Sequence, residues 1–345
     1  MRGRSGSLVG RWAMSREAVA VESAVVADPA EFDRLDSRVA FGRALGKIAE
    51  NDPQVMAVIS DYGRRLALDV LRSKLPGSVV QCGIAEQNQV EVASALANEG
   101  FHVFAPSYAP FITARVLDQV RVNLGMMESP VVLVGLGAGY HAGILGPSHM
   151  ALEDLACMRS IPGLTVVAPA TNTELACALA ELARNPRPAY VRITQAPAGD
   201  PALPSGDFEL GLCRVLADDT PGRMADVAIA TCGSIASRAL AAAQLLRGRG
   251  LSCRVVTVGT IKPLDQHVVE LLANARLDVT VEEHSVVGGL GGLLAEELLD
   301  RGATPGLLRL GAPDGYPEAD EQARLLERAG LTPEGIAASV LARLG

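Results

Sequence analysis

The chain has 345 residues, of which 49% are hydrophobic and 3% aromatic, and its formal net charge is -8. A chain of this length is expected to form two domains, with cores built from Leu, Val, Ala and Ile rather than from aromatic rings. The acidic balance, without a basic stripe, argues against nucleic acid as a partner.

Six cysteines are scattered along the chain, without a Cys-x-x-Cys pair or a Cys/His ligand spacing. This usage predicts a reduced, cytoplasmic chain without a disulfide scaffold, and we predict no metal ligands in it. The N-terminal segment has no hydrophobic signal core and no span of about 20 apolar residues, so we expect neither export nor membrane insertion. Residues 1–35 are predicted to be a tail that is mobile or held only by a partner.

From about residue 37, short β-branched runs alternate with Ala- and Leu-rich stretches. Strands are predicted at 55–60, 79–81, 131–135, 164–168 and 189–193. Helices are predicted between them, near 39–51, 85–98, 110–124, 152–159 and 172–184. Apolar strands separated by amphipathic helices are typical of parallel strands buried on both faces. Residues 36–195 are therefore predicted to form one doubly wound domain.

A polar stretch rich in Pro and Gly follows at 196–210 and is typical of an interdomain linker. The alternation then restarts, with strands predicted at 227–231, 254–258, 279–282 and 307–310. Helices are predicted near 236–247, 266–274, 290–300, 319–329 and 332–344. The predicted fold class is α/β, with two doubly wound domains, the second of them smaller and spanning 211–345.

The most informative stretch is 81–89, where a short apolar strand leads through a Gly turn into a helix. It places Glu86 in the first turn of that helix. One reading is that the carboxylate complements the helix dipole or caps the helix. The other is that it points into the crevice at the strand end, where open α/β sheets bind ligands. The spacing alone favours the first reading.

Four motifs occur in order along the chain: Gly-Ile-Ala-Glu-Gln at 83–87, Gly-Pro-Ser-His at 146–149, Arg-Ser-Ile-Pro-Gly-Leu-Thr-Val at 159–166, and Val-Glu-Glu-His at 281–284 with Gly-Gly-Leu-Gly at 288–291. With these motifs, residues 36–345 resemble the C-terminal half of the transketolase family. That half comprises the pyrimidine-binding domain for thiamine diphosphate and the family's third domain. One motif alone would be weak support, but four in order are specific.

The resemblance implies that Glu86 is catalytic and reverses the preference for a capping role. In the family, a Glu at this position hydrogen-bonds ring nitrogen N1′ of the cofactor's aminopyrimidine. This contact favours the imino tautomer, which removes the thiazolium proton. The cofactor then serves as the electron sink for a two-carbon ketol unit, while the protein orients it.

The same resemblance assigns further residues to the cofactor site. Tyr108 and Phe111 lie where the family places aromatic residues around the aminopyrimidine, although the family more often has Phe at the first position. Ordinary core packing at helical spacing is the alternative for this pair. Asp61, after the first strand, and Ile84, beside Glu86, are also expected to contact the cofactor.

Two histidines are predicted to face the substrate. His149 matches a family histidine that contacts the ketol oxygens and can transfer protons. His141 lies eight residues earlier, in a Gly-rich loop that we expect to face the same channel. A solvated loop histidine is the alternative, and it is stronger for His141 than for His149.

Arg38 and Arg192 fall where transketolases bind the sugar phosphate, since a guanidinium binds phosphate through two hydrogen bonds. A surface ion pair is the alternative for each. Leu145 stands where the family usually has an acidic residue that hydrogen-bonds a substrate hydroxyl. Arg65 stands where the family has a phosphate-binding Ser, and it could hold a carboxylate or a differently placed phosphate. We therefore expect a donor or acceptor other than the standard pentose phosphates.

The chain lacks the Gly-Asp-Gly…Asn pattern through which the family binds Mg²⁺ and the cofactor's diphosphate. The resemblance implies a separate partner subunit that carries this pattern and holds both groups. The chain would be inactive alone and would assemble with its partner as an α2β2 heterotetramer that acts on a small sugar substrate.

Two alternatives stay open. The β subunit of a 2-oxo acid dehydrogenase first component has a similar length and a comparable Glu, but the His149 motif and the 159–162 stretch are closer to transketolase. A non-catalytic paralogue acting as a scaffold would not need to retain Glu86, Phe111 and His149.

One polar motif is predicted to be mainly structural. Glu282, Glu283 and His284 follow one another at a predicted strand end, and they contain the residue types of an acid–base or metal site. Adjacent strand residues, however, point to opposite faces of a sheet. The three side chains are therefore not expected to converge on one ligand.

Overall fold

The structure, a computed structural model, describes residues 25–204, 208–302 and 306–345. The predicted tail therefore lies outside the described residues as far as residue 24, and so does the 205–207 part of the predicted linker. In the described part of the chain, no helix is long and apolar enough to cross a membrane.

The end of the predicted tail is held against the first domain. The short helix Pro29–Phe32 starts at Asp28, whose side chain accepts from the backbone N–H of Glu31. The Asn172 side chain then donates to the carbonyls of Phe32 and Leu35 at 3.2 and 2.8 Å. Residues 29–35 are thus fixed by this chain itself.

Twelve strands, numbered β1 to β12 in chain order, form two sheets in the described residues: Val55–Ile59, Val79–Gln81, His102–Tyr108, Val132–Leu136, Thr165–Val167, Ala189–Arg192, Arg214–Asp218, Ala225–Thr231, Cys253–Thr257, Thr260–Lys262, Ala275–Ser285 and Gly306–Ala312. One sheet has the order β10-β5-β6-β4-β3-β1-β2 and the other β12-β11-β8-β9-β7. The neighbours are parallel except β10 beside β5 and β7 beside β9. The predicted α/β fold class is confirmed.

Helices pack on both faces of each sheet, so alternate strand residues enter different cores. Val58 lies in a core shared by both domains, whereas Ala57 and Ile59 pack on the opposite side of the first sheet. The helices of the described chain are Pro29–Phe32, Ser37–Ile48, Asp69–Lys74, Glu86–Asn98, Ala109–Ile112, Leu117–Gln119, Asp154–Arg159, Asn172–Arg184, Ala236–Arg247, Gln266–Ala273, Leu290–Asp300, Gln322–Arg328 and Pro333–Leu344. Shorter 3-10 turns lie at Gly63–Leu66, Ala114–Val116 and Gly143–Leu145, and a π-helix at Val120–Met126.

The single helix predicted at 110–124 is instead broken into short pieces. The break is at Thr113, whose φ and ψ of -121° and -87° are not helical. Its hydroxyl donates to the carbonyl of Ala109 at 2.6 Å, which competes with regular backbone pairing. Phe111 and Arg115 lie on either side of this break, and both reach the candidate site described below.

The two domains share a sheet as well as a core. β10 lies after the predicted linker, yet it pairs with β5 at the edge of the first sheet. Its last residue, Lys262, donates to the carbonyls of Arg159 and Ile161 at 3.0 and 2.5 Å. The predicted domain limits of 36–195 and 211–345 stay predictions. A strand of the second segment, β10, nevertheless forms the edge of the first sheet.

Asp278, on β11, is a buried carboxyl group, and neither of its oxygens has a hydrogen-bond partner among the described residues. Burial raises the pKa of Asp278 to about 7. Since the unfolded chain ionises such a carboxyl near pH ~4, the folded state holds an extra proton between about pH 4 and 7. The free energy of unfolding therefore falls as the pH rises through that window.

We predict that Asp278→Asn, which keeps the shape and removes the charge, gains about 2–3 kcal/mol of stability relative to the wild type when the pH is raised from about 5 to about 8. Chemical denaturation of both proteins at the two pH values measures this gain. Glu282 and Glu283 titrate in both proteins, so their contributions cancel in the difference. A stability difference that does not change with pH would contradict the prediction.

Candidate active site

The candidate site lies at the carboxyl ends of β1 to β4, at one edge of the first sheet. The ends of these strands and the segments after them carry Asp61, Glu86, Tyr108 and Gly137 in turn. Parallel strands present their carboxyl ends to the same edge, where open α/β sheets bind ligands. The topology therefore gathers residues that are up to about 75 positions apart in the sequence.

Glu86 is the first residue of the helix Glu86–Asn98, and it is only 3% exposed. Its Oε2 atom accepts from Arg115 Nη1 at 2.9 Å, and its Oε1 atom accepts from Ser107 Oγ at 3.4 Å. Ser107 Oγ also lies 3.0 Å from Ser60 Oγ. The carboxylate is thus held by side chains from β3 and from the segment after it, in keeping with the second reading of the sequence.

Gln89 fixes the rotation of this helix. Its side chain is fully buried, and its Nε2 atom donates to the carbonyls of Val58 and Pro106 at 2.7 and 3.1 Å. These bonds join the helix to β1 and β3, and Glu86, almost one turn earlier, is thereby directed to the sheet edge. Gln89 was not among the residues predicted from the sequence, although a Gln on the buried side of a helix has to find hydrogen-bond partners inside the protein.

Aromatic rings form a cluster in front of Glu86. The Tyr108 ring is 5.9 Å from that of Phe111 and 5.4 Å from that of His149, and Phe111 and His149 are 5.1 Å apart. Tyr62, which the sequence analysis did not include, lies 4.8 Å from Tyr108. Tyr108, Phe111 and His149 thus lie close together in one crevice, while their predicted contacts with cofactor and substrate stay predictions. Burial raises the pKa of Tyr108 to about 12.

Arg115 lies between Glu86 and this cluster. Besides its ion pair with Glu86, its guanidinium carbon is 3.8 Å from the centre of the Phe111 ring. A guanidinium over an aromatic face gains a cation–π attraction. Arg115 therefore covers both the carboxylate and the ring face that were predicted to meet the cofactor.

His141 lies on the neighbouring loop, next to Tyr108. A side chain at Gly137 would be 3.4 Å from the His141 ring and 3.8 Å from that of Tyr108, so the glycine leaves room for both. Burial lowers the pKa of His141, and the positive charge of Arg38 lowers it further. His141 is therefore a neutral imidazole at neutral pH.

Arg38 and Arg65 lie at the border of the crevice. Arg38 is at the start of the helix Ser37–Ile48 and is paired with Asp36 through its Nε atom at 2.8 Å. This hydrogen bond raises the pKa of Arg38, and Tyr62 acts in the same direction. Arg65 is exposed, and its charge acts on Tyr108. Both guanidinium groups are thus placed to act on an anion that enters the crevice.

Asp61 and Ile84 lie just after β1 and β2, at the same edge of the first sheet. Asp61 has a left-handed backbone with φ of 56°, and its N–H donates to Gln81 Oε1 at 2.7 Å. Such a backbone is costly for a residue other than Gly and is often found at functional sites. Ile84 is 76% exposed in this chain. An apolar side chain this exposed beside a candidate site is open to a ligand or a second chain.

Arg192 is not at the site surface, and its predicted role as a phosphate ligand does not fit its surroundings. Its side chain is fully buried and forms an ion pair with Asp154 at 2.8 Å. It also donates to the carbonyl of Glu283 at 2.8 Å, while the Tyr190 hydroxyl donates to Asp154 at 2.6 Å. A phosphate would have to displace these contacts. Arg192 therefore holds β6 to the second domain.

Two members of the Glu282–His284 motif also have structural partners. Glu282 is buried and accepts from the N–H groups of Leu290 and Gly291 at 2.7 and 2.9 Å, at the start of the helix Leu290–Asp300. Burial lowers the pKa of His284 to about 4. Its ring accepts from the Ala156 N–H at 3.4 Å and faces the carbonyl of Ser285 at 2.8 Å.

Comparisons with known proteins decide the family. The transketolase pyrimidine binding domain matches residues 33–198, and the transketolase C-terminal domain matches residues 221–336. The chain is 33% identical over 308 residues to an apulose-4-phosphate transketolase subunit of Phocaeicola vulgatus, across 88% of this chain and 96% of that protein. The chain belongs to the transketolase family.

Two further transketolases extend this result. The 6-deoxy-6-sulfo-D-fructose transketolase subunit SqwH of a Clostridium species is 33% identical over 289 residues, across 84% of this chain and 88% of that subunit. A solved split gene transketolase, an inactive beta4 tetramer, matches with a TM-score of 0.76 and 31% identity, covering 89% of this chain and 97% of that one. The predicted resemblance is confirmed, and transketolase membership implies a transferase-type family that depends on thiamine diphosphate.

The residues of this transketolase-family chain fit one part of that cofactor. A buried carboxylate beside a half-buried aromatic ring suits the polar edge and the flat face of an aminopyrimidine, and Glu86 and Phe111 provide both. In residues 25–204, 208–302 and 306–345, no group of three or more His, Cys, Asp or Glu side chains could hold a metal ion. The described residues therefore fit the aminopyrimidine part of the cofactor.

Leu145, at which the chain departs from the usual transketolase pattern, lies on the surface. Leu145 ends the 3-10 turn Gly143–Leu145, and it is 48% exposed. The backbone N–H of Asp320, from the second domain, donates to the carbonyl of Gly143 at 3.2 Å. The second domain therefore contacts the turn that leads to the His149 motif.

Proposed function

We propose that this chain is the pyrimidine-binding subunit of a split, thiamine-diphosphate- and Mg²⁺-dependent transketolase-like enzyme. The enzyme transfers a two-carbon ketol unit from a ketose, such as a ketose phosphate, to an aldehyde acceptor. The chain is inactive without a partner subunit that carries Gly-Asp-Gly…Asn and holds the diphosphate and Mg²⁺. We propose a cytoplasmic α2β2 assembly.

The observation that carries this proposal is the buried Glu86 carboxylate beside Phe111 and His149. The described residues supply this half of a cofactor site without a metal-binding cluster to accompany it. The relatives support the division, because two of them are named as transketolase subunits and align along nearly their whole length. A chain with half of a site needs a second chain to complete it.

Each residue of the crevice has a role in the proposal. Bound thiamine diphosphate would supply the electron sink for cleavage of the carbon–carbon bond. Glu86, kept away from water, shares a proton with the aminopyrimidine nitrogen, and Phe111 and Tyr108 pack around that ring. Asp61 and Ile84 contact the cofactor at the mouth of the crevice. His149 and His141 bind the substrate oxygens and move protons there.

The substrate is proposed to carry an anionic group that Arg38 and Arg65 recognise. Apolar Leu145 cannot hydrogen-bond a hydroxyl, so the substrate differs from the standard pentose phosphates near that position. Apulose 4-phosphate and 6-deoxy-6-sulfo-D-fructose, which appear in the names of relatives, are the first donors to test.

The test is reconstitution. The purified chain is mixed with a partner that carries Gly-Asp-Gly…Asn, with thiamine diphosphate and Mg²⁺, and ketol transfer is measured over a panel of ketoses and aldehydes. Activity in the mixture, and none with either chain alone, is the expected result. A complex that binds the cofactor but transfers nothing from any ketose would overturn the reaction. Turnover of a 2-oxo acid instead would favour a 2-oxo acid dehydrogenase subunit.

Arg115 gives a prediction about cofactor affinity. Its guanidinium covers Glu86 and Phe111, so it has to leave these contacts when the aminopyrimidine binds. An ion pair this exposed and a surface cation–π contact each contribute about 0.5–1 kcal/mol. We expect Arg115→Met to lower the Kd of the reconstituted enzyme for thiamine diphosphate about 5- to 30-fold.

Calorimetric titration of the complex with thiamine diphosphate measures this change. The matched control is Arg121→Met, because Arg121 is exposed on the following π-helix and pairs only with Asp118 and Met126 among the described residues. This control is expected to leave the Kd unchanged. Weaker binding by Arg115→Met would mean that Arg115 itself contacts the cofactor.

A further inference from the structure

Three residues that the sequence analysis placed on the substrate side share one closed loop. Gly139 and Ala151 form a backbone bridge, in which the N–H of each donates to the carbonyl of the other, at 2.9 and 3.2 Å. His141, Leu145 and His149 all lie between these two residues. A contact that fixes the base of this loop therefore also fixes where these side chains lie.

The base of the loop rests on Glu283, a carboxylate from the second domain. Glu283 lies on β11 and is 2% exposed, and its Oε1 atom accepts from the Tyr140 N–H at 2.7 Å. Gly139 has φ of 71°, and a Cβ atom at this position would lie 2.7 Å from the Glu283 carboxyl group. Glycine is therefore required here both for the backbone conformation and for the close approach of the carboxylate.

The carboxylate is itself held by a second donor. Gln322, at the start of a second-domain helix, donates through its Nε2 atom to the same oxygen of Glu283 at 3.0 Å and to the carbonyl of Gln195 at 2.9 Å. Two residues earlier, the Asp320 N–H donates to the carbonyl of Gly143 at 3.2 Å. The second domain thus contacts the loop at its base and near its middle.

Removal of the Glu283 carboxylate would leave the Tyr140 N–H without its acceptor. Tyr140 is buried, and a buried donor that loses its partner cannot replace it with bulk water at no cost. The backbone at the base of the loop would therefore move toward another acceptor. A displacement on the order of 1 Å is enough to take side chains out of productive geometry.

We propose that Glu283 is a positioning residue, which holds the loop 139–151 so that His141 and His149 lie beside Tyr108 in the crevice. It acts from the second domain on residues of the first and does not itself contact the substrate. The sequence analysis predicted a mainly structural role for Glu283, and the contact with Tyr140 gives that role a target in the candidate site. The effect on turnover rests on the proposed ketol transfer.

Amide hydrogen exchange of the full chain, labelled with ¹⁵N-tyrosine, tests the contact directly, because the chain has only five tyrosines. Tyr140→Phe and Tyr190→Phe spectra identify two of the signals, and Tyr190, on the interior strand β6, reports opening of the whole domain. Glu283→Leu is expected to speed exchange at Tyr140 about 10- to 100-fold relative to Tyr190. Glu283→Gln keeps an oxygen acceptor and should keep the wild-type ratio.

In the reconstituted enzyme, Glu283→Leu is expected to lower kcat about 10- to 100-fold. The Kd for thiamine diphosphate should stay within about 2-fold, because Glu86 and Phe111 lie outside the loop. Glu283→Gln should retain kcat within about 3-fold. Glu327→Leu, the same change at an exposed position of the helix that Gln322 begins, is the matched control and should behave as the wild type.

Gly139→Ala serves as a second variant if Glu283→Leu does not fold, because its Cβ atom would displace the carboxylate from the Tyr140 N–H. It is expected to show the same faster exchange and lower kcat. Unchanged exchange at Tyr140 would overturn the contact, and faster exchange with wild-type kcat would overturn the positioning role. If the wild-type mixture transfers no ketol unit, the proposed function fails, while the exchange rates still decide whether Glu283 holds the loop.

Discussion

Glu86→Gln is expected to reduce ketol transfer by the reconstituted enzyme at least ~10²-fold, because the amide cannot share a proton with the aminopyrimidine. The loss should appear in kcat. The folded chain should tolerate the change, since Arg115, the ionic partner of Glu86, is 39% exposed, and such a pair contributes little to stability. Steady-state kinetics and a thermal unfolding curve for the same preparation separate the two effects.

The matched control is Glu91→Gln. Glu91 is on the same helix but exposed, where it accepts from Asn123 at 3.1 Å, and a Gln can accept in the same way. We expect wild-type kinetics for this variant. Wild-type activity in Glu86→Gln would contradict the proposed mechanism, and equal losses in both variants would indicate damage to the helix rather than to the chemistry.

Arg192→Leu is expected to destabilise the chain by about 3–5 kcal/mol, because Asp154 is left as a buried charge without its ionic partner. For a chain of this size, such a loss corresponds to a fall in the unfolding temperature on the order of 5 °C. Thermal unfolding of the chain measures it. The double variant Arg192→Leu, Asp154→Leu should recover part of the loss, since no uncompensated charge remains.

Arg38→Gln provides the contrast that distinguishes a structural arginine from a substrate-binding one. Arg38 is at the border of the crevice, and its partner Asp36 is only half-buried. We expect a higher KM for anionic substrates in Arg38→Gln, with little change in the unfolding temperature. If Arg192→Leu raised KM and left the unfolding temperature unchanged, the sequence prediction for Arg192 would be right and the structural interpretation wrong.

Local signals account for the elements that the sequence predicted well. The helix at 172–184 has the same limits in the structure, and its start has a clear signature. Thr171 accepts from the backbone N–H of Glu174, whose side chain accepts from the N–H of Ala170. This arrangement is close to a capping box, and it can be recognised from four consecutive residues.

Strand β3 was missed for a physical reason. It lies between β4 and β1, but its sequence contains Pro106, and a proline inside a strand usually argues against a central position. Here the pairing with β1 ends at Phe104, before the proline. The missing N–H therefore costs no bond to that neighbour. Strand β10 was missed because only its pairing with β5, far away in the sequence, defines it.

The residues of the candidate site also differ in whether local sequence signals or contacts between distant segments define them. Glu86, Tyr108, Phe111, His141 and His149 could be proposed from motifs, and they do lie in one crevice, although their roles stay predictions. The residues that hold them were not predictable in this way: Arg115, Ser107 and Gln89. Their contacts depend on register and domain packing. Arg192 was predicted to bind phosphate but is buried in an ion pair. The sequence of a strand does not tell on which face of the sheet a cation lies or which side chain lies opposite it.

The pairing of β10 with β5 has a consequence for how this chain can be divided. In many proteins a Pro- and Gly-rich linker marks a place where a gene can be cut into independently folding modules. Here a cut at 196–210 would remove β10 and leave β5 with a bare hydrogen-bonding edge, ready to pair with another molecule. The two halves of this chain therefore have to be inherited and exchanged together.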